Sequence, residues 1–419
     1  MKALSVFRLD GPEHQLVGRI VLEPATFAYD PGYLALPDAC ALSCSLPLRE
    51  EPYSEDRLMP YFDGLLPEGT ARIAQAAALN VEPDNYLMLL LRCGLEIIGD
   101  IAVTEGEPPA TQGGYRPLDE RNLEALFSSM GELAESNSEA RLSLAGTQGK
   151  TGLAHASGAT MESGWLQPRA GAASTHILKV GALPDVPFLE YLCLKTAAAC
   201  GIDSPEVDLL RFGRPVLCVA RYDRAVTPGG ESPHVARLHQ EDFAQALGVL
   251  PDAKYRELEP STATAVANLL RTRSTRPLED IETFARVTLF NYLVGNCDNH
   301  LKNLSLLHRP SGAGLRLAPV YDLVSTTRFD RFSRAMGMRL GGASVIDDVK
   351  ADDLTKFGET IGVDRRELAE IARELAEAVT GALRAAGDEQ PQFPELPYVA
   401  DDLLEDMAPR LDVLDHFAT

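Results

Sequence analysis

The sequence predicts an α+β chain of two lobes preceded by a smaller mixed subdomain. Short apolar or alternating segments of strand type cluster between residues 141 and 222. Beyond residue 240 the pattern turns to long helical periodicities. A stretch rich in Pro, Gly and Thr at 104–117 (TEGEPPATQGGYRP) sets a third block in front of both. The 419 residues are enough for two or three cores of ordinary size. The boundaries expected are a subdomain over 1–103, a linker over 104–118, a strand-rich lobe over 119–236 and a helical lobe over 237–419.

The elements follow in order. Residues 4–9 and 18–22 read as a hairpin around Gly11 and Pro12. Residues 60–69 (PYFDGLLPEG) read as an apolar turn, with a helix starting at Thr70. After the linker comes a helix over 119–133. Strands are expected at 141–145, 151–155, 176–180, 207–212 and 215–222, with a helix over 187–200 that Gly201 stops. The remainder is read as almost all helix, at 241–247, 262–272, 281–294, 365–386 and 399–414. The helix over 281–294 is apolar on most faces, so it is expected to be buried.

Composition excludes several classes. Apolar content of 45% and charged content of 24% exclude a wholly disordered chain. The net charge of −22 makes the chain a poor ligand for a phosphate backbone on its own, so contact with DNA is expected only through a basic partner. No apolar run approaches a membrane span, and the first residues, MKALSVFRLDGPEH, lack a signal-peptide core. The seven cysteines lie mostly in apolar segments with no CxxC pair, as reduced core thiols of a cytoplasmic protein would. The histidines form no HExxH or His/Cys cluster, so no zinc site is expected.

Residues 143–152 read SLAGTQGKTG. Gly149, Lys150 and Thr151 resemble the tail of a Walker A loop, but Leu144 stands where that motif needs glycine. The residues that follow read as a strand rather than a helix. A glycine-rich loop between two strands instead suits the covering of ATP phosphates, since Gly146, Gly149 and Gly152 let the backbone approach an anion.

After Gly295 the chain reads Asn-Cys-Asp-Asn-His-Leu-Lys-Asn. Asp298 and Asn303 are separated by four residues, the spacing of a kinase catalytic loop. There the Asp takes the acceptor's hydroxyl proton and the Asn reaches a magnesium ion on the phosphates. Lys302 lies between them and is suited to neutralise charge on the transferring phosphoryl group. A strand follows, and then Asp322, where a metal-binding Asp would stand. Upstream, Lys179 lies on a predicted strand and Glu190 on the next helix, the order of the ion pair that positions ATP phosphates. Ala220 and Tyr222 end a strand between the lobes and are placed to offer backbone groups to adenine. Each pattern is weak alone, but the joint order is specific.

At this point the sequence resembles the HipA-type toxin kinases of bacterial type II toxin–antitoxin systems. The likeness runs through PYFDGLLPEG (60–69), SLAGTQGK (143–150), STHILKV (174–180), FLEYLCLKTAAACGI (188–202), VARYDR (219–224), RLHQEDFAQALG (237–248), FNYLVGNCDNHLKNLSLL (290–307) and LAPVYDLVS (317–325). It implies a two-lobed serine/threonine kinase fold with an extra N-terminal α/β subdomain and a mostly helical C-terminal lobe. By position, Asp298 becomes the catalytic base, Asn303 and Asp322 the Mg2+ ligands, and Lys179 the lysine on the ATP phosphates. Ala145, Gly146, Thr147, Gln148, Gly149 and Lys150 become the phosphate loop, and His300 joins the ATP site. Ser143 matches a serine that relatives autophosphorylate.

The resemblance further implies a growth-inhibiting toxin acting on a translation-related protein such as an aminoacyl-tRNA synthetase. Its partner would be a helix-turn-helix, HipB-like antitoxin that carries the contact with DNA. Two departures stand out. Gly149 replaces an acidic residue of the loop, and the segment from Arg92 to Asp100 lacks the family's usual Gly-Arg-Asp-Cys-Ala-Gly run. The alternative of another class is a catalytically weak, ATP-binding co-repressor module. Finally, Arg328, Arg331, Arg334 and Arg339 follow Asp322 and are candidates to attract an acidic substrate segment.

Overall fold

The computed structural model describes residues 3–9, 14–93, 97–109, 113–138, 148–227, 232–309 and 314–419. Ser143, Ala145, Gly146 and Thr147, and the strand expected at 141–145, lie outside the described residues.

The N-terminal part builds an antiparallel sheet from β1 (Ala3–Arg8), β2 (Gln15–Leu22), β3 (Ala25–Tyr29), β4 (Tyr53–Ser54) and β5 (Ile101–Thr104), in the order β4-β3-β2-β1-β5. The expected hairpin is β1–β2, with Leu4 opposite Ile20. Val6, Ile20 and Phe27 bury one face of this sheet under the helices that follow: α1 (Pro31–Leu34), α2 (Glu55–Gly64), α3 (Gly69–Leu79) and α4 (Tyr86–Cys93). The turn expected at 60–69 is half helix, because Pro60 sits inside α2. An interior proline costs about 3 kcal/mol. Leu58, Tyr61 and Phe62 are fully buried around it, and each such burial returns roughly 1.5–3 kcal/mol, so packing overrides the turn signal.

The small lobe is a sheet of β6 (Gly114–Pro117), β7 (Gln148–His155), β8 (Trp165–Arg169), β9 (His176–Gly181), β10 (Val207–Phe212) and β11 (Arg214–Ala220), ordered β10-β11-β9-β7-β8-β6. The stretch read as a linker therefore contributes an edge strand, β6, which pairs with β8. Helix α5 (Glu120–Ser138) covers one face and α6 (Val186–Ala199) the other. Strand alternation assigns the faces. Leu178, Val180, Leu210, Phe212, Val216 and Cys218 pack with Phe127 of α5. Leu209, Leu217 and Val219 join the core that holds α6. Gly149 is explained by this packing, since a Cβ there would stand 3.1 Å from the Met130 carbonyl oxygen and 3.2 Å from Val180, leaving little room for an acidic side chain.

Beyond residue 240 the expectation is almost all helix apart from one strand after Asn303; that strand forms, and other short strands are interleaved with the helices. The hairpin of β12 (Arg224–Thr227) with β13 (His234–Arg237) leads into this region, which holds β14 (Gln240–Asp242) with β15 (Ser305–Arg309), the expected strand, and β16 (Gly314–Leu317), and β17 (Ala335–Leu340) with β18 (Ala343–Val345). β14, β16 and β18 have only three or four residues, too short to show a period of two. The helices are α7 (Phe243–Leu247), α8 (Thr262–Arg273), α9 (Pro277–Val294), α10 (Ala351–Ile361), α11 (Arg365–Asp388) and α12 (Leu396–Ala418). Helix α9 is buried along most of its length, as its apolar faces predict, and ends at Gly295 with φ +76°. A side chain at Gly295 would collide with Thr327, whose Oγ1 lies 2.0 Å from the Cβ position. No helix among the described residues is long and apolar enough to cross a membrane.

The segment that departs from the resembled family seals the joint between subdomain and lobes through its backbone. Gly99 N donates to Asp223 Oδ2 at 2.8 Å, and Arg224 donates to Gly99 O at 3.0 Å and to Ile97 O at 2.9 Å.

Candidate active site

Lys179 sits on β9 between Leu178 and Val180. Those two face α5, so alternation turns Lys179 to the α6 face, where Glu190 projects from the first turns of the helix. Lys179 Nζ lies 2.6 Å from Glu190 Oε1, and both side chains are nearly inaccessible. Gln148 Nε2 donates to Glu190 Oε2 at 3.0 Å. Lys179 also meets Asp322. Register places Lys150 of β7 directly opposite Lys179, on the same face.

These charges decide each other's protonation. Burial works against a charged Lys179, but the Asp322 and Glu190 carboxylates outweigh it and hold its pKa above the ordinary value. Burial likewise opposes ionisation of Asp322, yet Lys179 and Lys150 keep it well below the usual carboxylate range. Burial raises the pKa of Glu190 despite Lys179. Asp322 has φ +50°, a left-handed conformation uncommon for a residue with a side chain and costly to hold.

The loop after α9 is tied down through its backbone amides, which donate to side-chain oxygens. Asp298 N donates to Asn296 Oδ1 at 3.1 Å, and Cys297 N to Thr326 Oγ1 at 2.9 Å. Leu301 and Leu304 bury on either side of a single turn of 3-10 helix, Leu301–Asn303. Asn303 Nδ2 donates back to the Asp298 carbonyl at 2.8 Å, which leaves its Oδ1 for another partner. The spacing of four residues therefore closes one compact loop that presents both side chains to the same cleft. Gln148, Lys150, Glu190, Asp298, Asn303, Asp322 and Val324 line that cleft.

Other expectations are modified. Lys302 does not line the cleft. Its ammonium is held by Asp242 Oδ2 at 2.7 Å, the Gly64 carbonyl at 3.2 Å and Glu68 at 3.6 Å, so it anchors the loop to α2 and to the cap of α7 rather than facing a phosphoryl group. The Ala220 amide donates to Glu206 O at 2.9 Å and is not free for adenine. The Tyr222 hydroxyl donates to Gln240 Oε1 at 2.5 Å, and its ring stacks on Tyr321 at 5.7 Å. His300 is buried, and burial pushes its pKa down to about 3. Its ring nitrogens find no hydrogen-bond partner among the described residues. Of the arginine row, Arg328 pairs with Asp402, Arg334 with Asp347 and Arg339 with Glu257, so three of the four already have acidic partners.

Sequence reasoning missed Tyr255, whose hydroxyl donates to Asp298 Oδ1 at 2.5 Å, and Glu68, which reaches Lys254 at 2.7 Å. Nothing local marks Tyr255, whereas Glu68 lies within PYFDGLLPEG (60–69), one of the segments that carry the resemblance. Asp242 was findable, because Asp242-x-x-Gln245 is a capping box and both of its reciprocal bonds form.

The donor set suits a nucleotide with a hard cation. Asp322 and the Asn303 amide are oxygen donors of the kind Mg2+ takes when phosphates supply its remaining ligands. Among the described residues no group of three His, Cys, Asp or Glu side chains forms a complete metal cage. A site that shares its ion with a bound phosphate does not need one.

Comparison with known proteins agrees with this arrangement. The family model for the HipA N-terminal domain matches residues 13–104, and that for the HipA-like C-terminal domain matches residues 142–383. A putative kinase, Y4mE, of Sinorhizobium fredii is 36% identical over 377 residues, covering 86% of this chain and 87% of the relative. The serine/threonine-protein kinase toxin HipA of Shewanella oneidensis is 28% identical over 357 residues, covering 81% and 80%. Among solved structures, HipA from the Shewanella oneidensis complex of HipA, HipB and operator DNA superposes with a TM-score of 0.85 at 22% identity, over 99% of both chains. With a kinase cleft assembled from both lobes and matches over both its parts, the chain is an enzyme, a kinase, and belongs to the family of HipA-like serine/threonine kinase toxins.

Proposed function

We propose that this kinase transfers the γ-phosphoryl group of ATP, with Mg2+, to a serine or threonine hydroxyl of a protein, and that this arrests growth. The observation that carries the reading is the convergence of Lys179, Glu190, Asp298, Asn303 and Asp322 on one cleft between the lobes. ATP supplies the phosphoryl group and Mg2+ the counter-charge. Lys179, braced by Glu190, holds phosphate oxygens. Asn303 and Asp322 hold the metal. Asp298 receives the hydroxyl proton of the acceptor. Lys302 serves as the anchor of the loop that carries these groups. Residues 145–150 cover the phosphates, and Ser143 at the edge of that loop is the chain's own substrate. The preferred division of the chain is a subdomain to residue 103, a small lobe that runs to 236 and takes in β6 from the stretch expected as a linker, and a helical lobe from 237.

The protein substrate is proposed to be translation-related, with an aminoacyl-tRNA synthetase as the first candidate. The likeness to a HipA that was solved with HipB and operator DNA supports a HipB-like antitoxin as partner. The charge of −22 supports contact with DNA through that partner rather than directly. A cytoplasmic location goes with such a complex. The test is phosphate incorporation from ATP by Asp298→Asn. Loss of a positioned base is expected to cost at least about a hundredfold, and a rate near that of the unaltered protein would refute the assignment.

A further inference from the structure

Among the described residues, Tyr255 is the side chain outside the catalytic loop that donates to the proposed base, and its neighbour Lys254 pairs with the N-terminal domain. Tyr255 follows a single turn of 3-10 helix, Pro251–Ala253, between α7 and α8. Its hydroxyl donates to Asp298 Oδ1 at 2.5 Å, and its ring stands edge-on to His300 at 4.9 Å. The neighbouring Lys254 reaches out of the lobe to Glu68, the cap residue of α3 in the N-terminal domain, at 2.7 Å. The same carboxylate lies 3.6 Å from Lys302, four residues beyond Asp298. Glu68 therefore sits between two lysines on the two segments that flank the base.

We propose that Tyr255 is a positioning residue for Asp298, and that Glu68 of the N-terminal domain holds it in place through Lys254. This rests on Asp298 being the base. A carboxylate turns easily about its last torsion, and Asp298 has no other side-chain donor on its carboxylate among the described residues. One charge-assisted bond on Oδ1 stops that rotation. The second oxygen then has a defined direction in which to receive a hydroxyl proton, which is what a positioned base requires. Burial, followed by the Asp298 charge, raises the pKa of Tyr255, so the phenol remains a donor. Tyr255 as a whole residue is 48% exposed, so core packing alone does not explain where it lies. The N-terminal domain thereby becomes part of the catalytic geometry.

The test uses the full chain and follows single-turnover ADP release from ATP with Mg2+, alongside affinity for a fluorescent ATP analogue. Tyr255→Phe keeps the ring and removes the donor. It is expected to slow release by about tenfold or more while nucleotide affinity changes less than about twofold. Glu68→Gln, which keeps the size of this partly buried side chain and removes its charge, should slow release in the same sense but less. The two losses should combine to less than their product, because both act through one contact. Tyr255→Phe releasing ADP at the unaltered rate, a parallel loss of nucleotide affinity, or fully multiplicative losses would overturn the proposal. So would mass spectrometry finding phosphate on Tyr255, since the hydroxyl would then be an acceptor. Asp298→Asn measured alongside separates the two readings. If it is as fast as the unaltered chain, the base assignment fails. If it is slow while Tyr255→Phe is not, only the positioning role fails.

Discussion

At the joint between the N-terminal domain and the lobes, Asp100 receives Arg8 Nε at 2.8 Å and stands 2.7 Å from His239 Nδ1. Asp223 receives the Gly99 amide, Arg221 and Arg224. Glu241 receives the Ser43 hydroxyl at 2.5 Å and the Cys44 amide at 3.0 Å. In the cleft the count is lower. Among the described residues Asp322 has Lys179 alone, at a strained φ of +50°, and the Asp298 carboxylate has Tyr255 alone. Both regions hold carboxylates in low-dielectric surroundings, where an unmet acceptor is costly. The joint fills its acceptors and locks two bodies together. The cleft keeps unfilled oxygens that a substrate or cation can complete.

Matched substitutions sharpen this contrast. Asp100→Asn removes the charge that faces Arg8 and a carboxylate oxygen beside His239, and breaking a buried pair costs about 3–5 kcal/mol. It should lower the denaturation midpoint strongly, and a loss below about 1 kcal/mol would mean the joint is not held by this pair. Asp322→Asn should act mainly on transfer. Asparagine tolerates the left-handed backbone and Lys179 keeps Glu190 as a partner, so the loss of stability should be smaller than for Asp100→Asn while phosphate transfer falls at least about a hundredfold. A variant that unfolds would place Asp322 with the structural charges instead.

Acid should loosen the joint first. Burial pushes His308, which lies 3.3 Å from Cys40 of the N-terminal domain, down to about 3, and it pushes His176 in the small lobe down to about 4. Both are neutral when folded, whereas the unfolded chain takes up protons below about 6.5. The stability they contribute is present in full above that pH and is lost as pH falls toward their folded values. Each should account for roughly 1–2 kcal/mol between pH 7 and pH 5. Melting curves at the two pH values check this, and His308→Gln should flatten the difference. No flattening would remove His308 from the account. The smallest effect is expected at the surface. Arg334 pairs with Asp347 where both are about half exposed, and Arg334→Ala should cost less than about 1 kcal/mol and leave transfer unchanged. A tenfold fall in transfer would instead make the arginine row part of a substrate site.

The sequence alone determined the parts of this protein whose logic is local. Gly295 stops α9, four residues separate Asp298 from Asn303, and Lys179 falls on a strand with Glu190 on the next helix. Each follows from backbone periodicity or from a loop that closes on itself. Only the tertiary structure decided what those groups face. Lys302 was expected over a phosphoryl group but binds Asp242, 60 residues earlier in the chain, and Gly64, 238 residues earlier. Tyr255, 43 residues before Asp298, carries no local mark of its role. The N-terminal domain reaches the catalytic loop through Glu68, and Pro60 stays helical because Tyr61 and Phe62 are buried. Periodicity records which way a side chain points along its own element. Which distant group meets it depends on how separate elements pack, and no spacing in one chain encodes that contact.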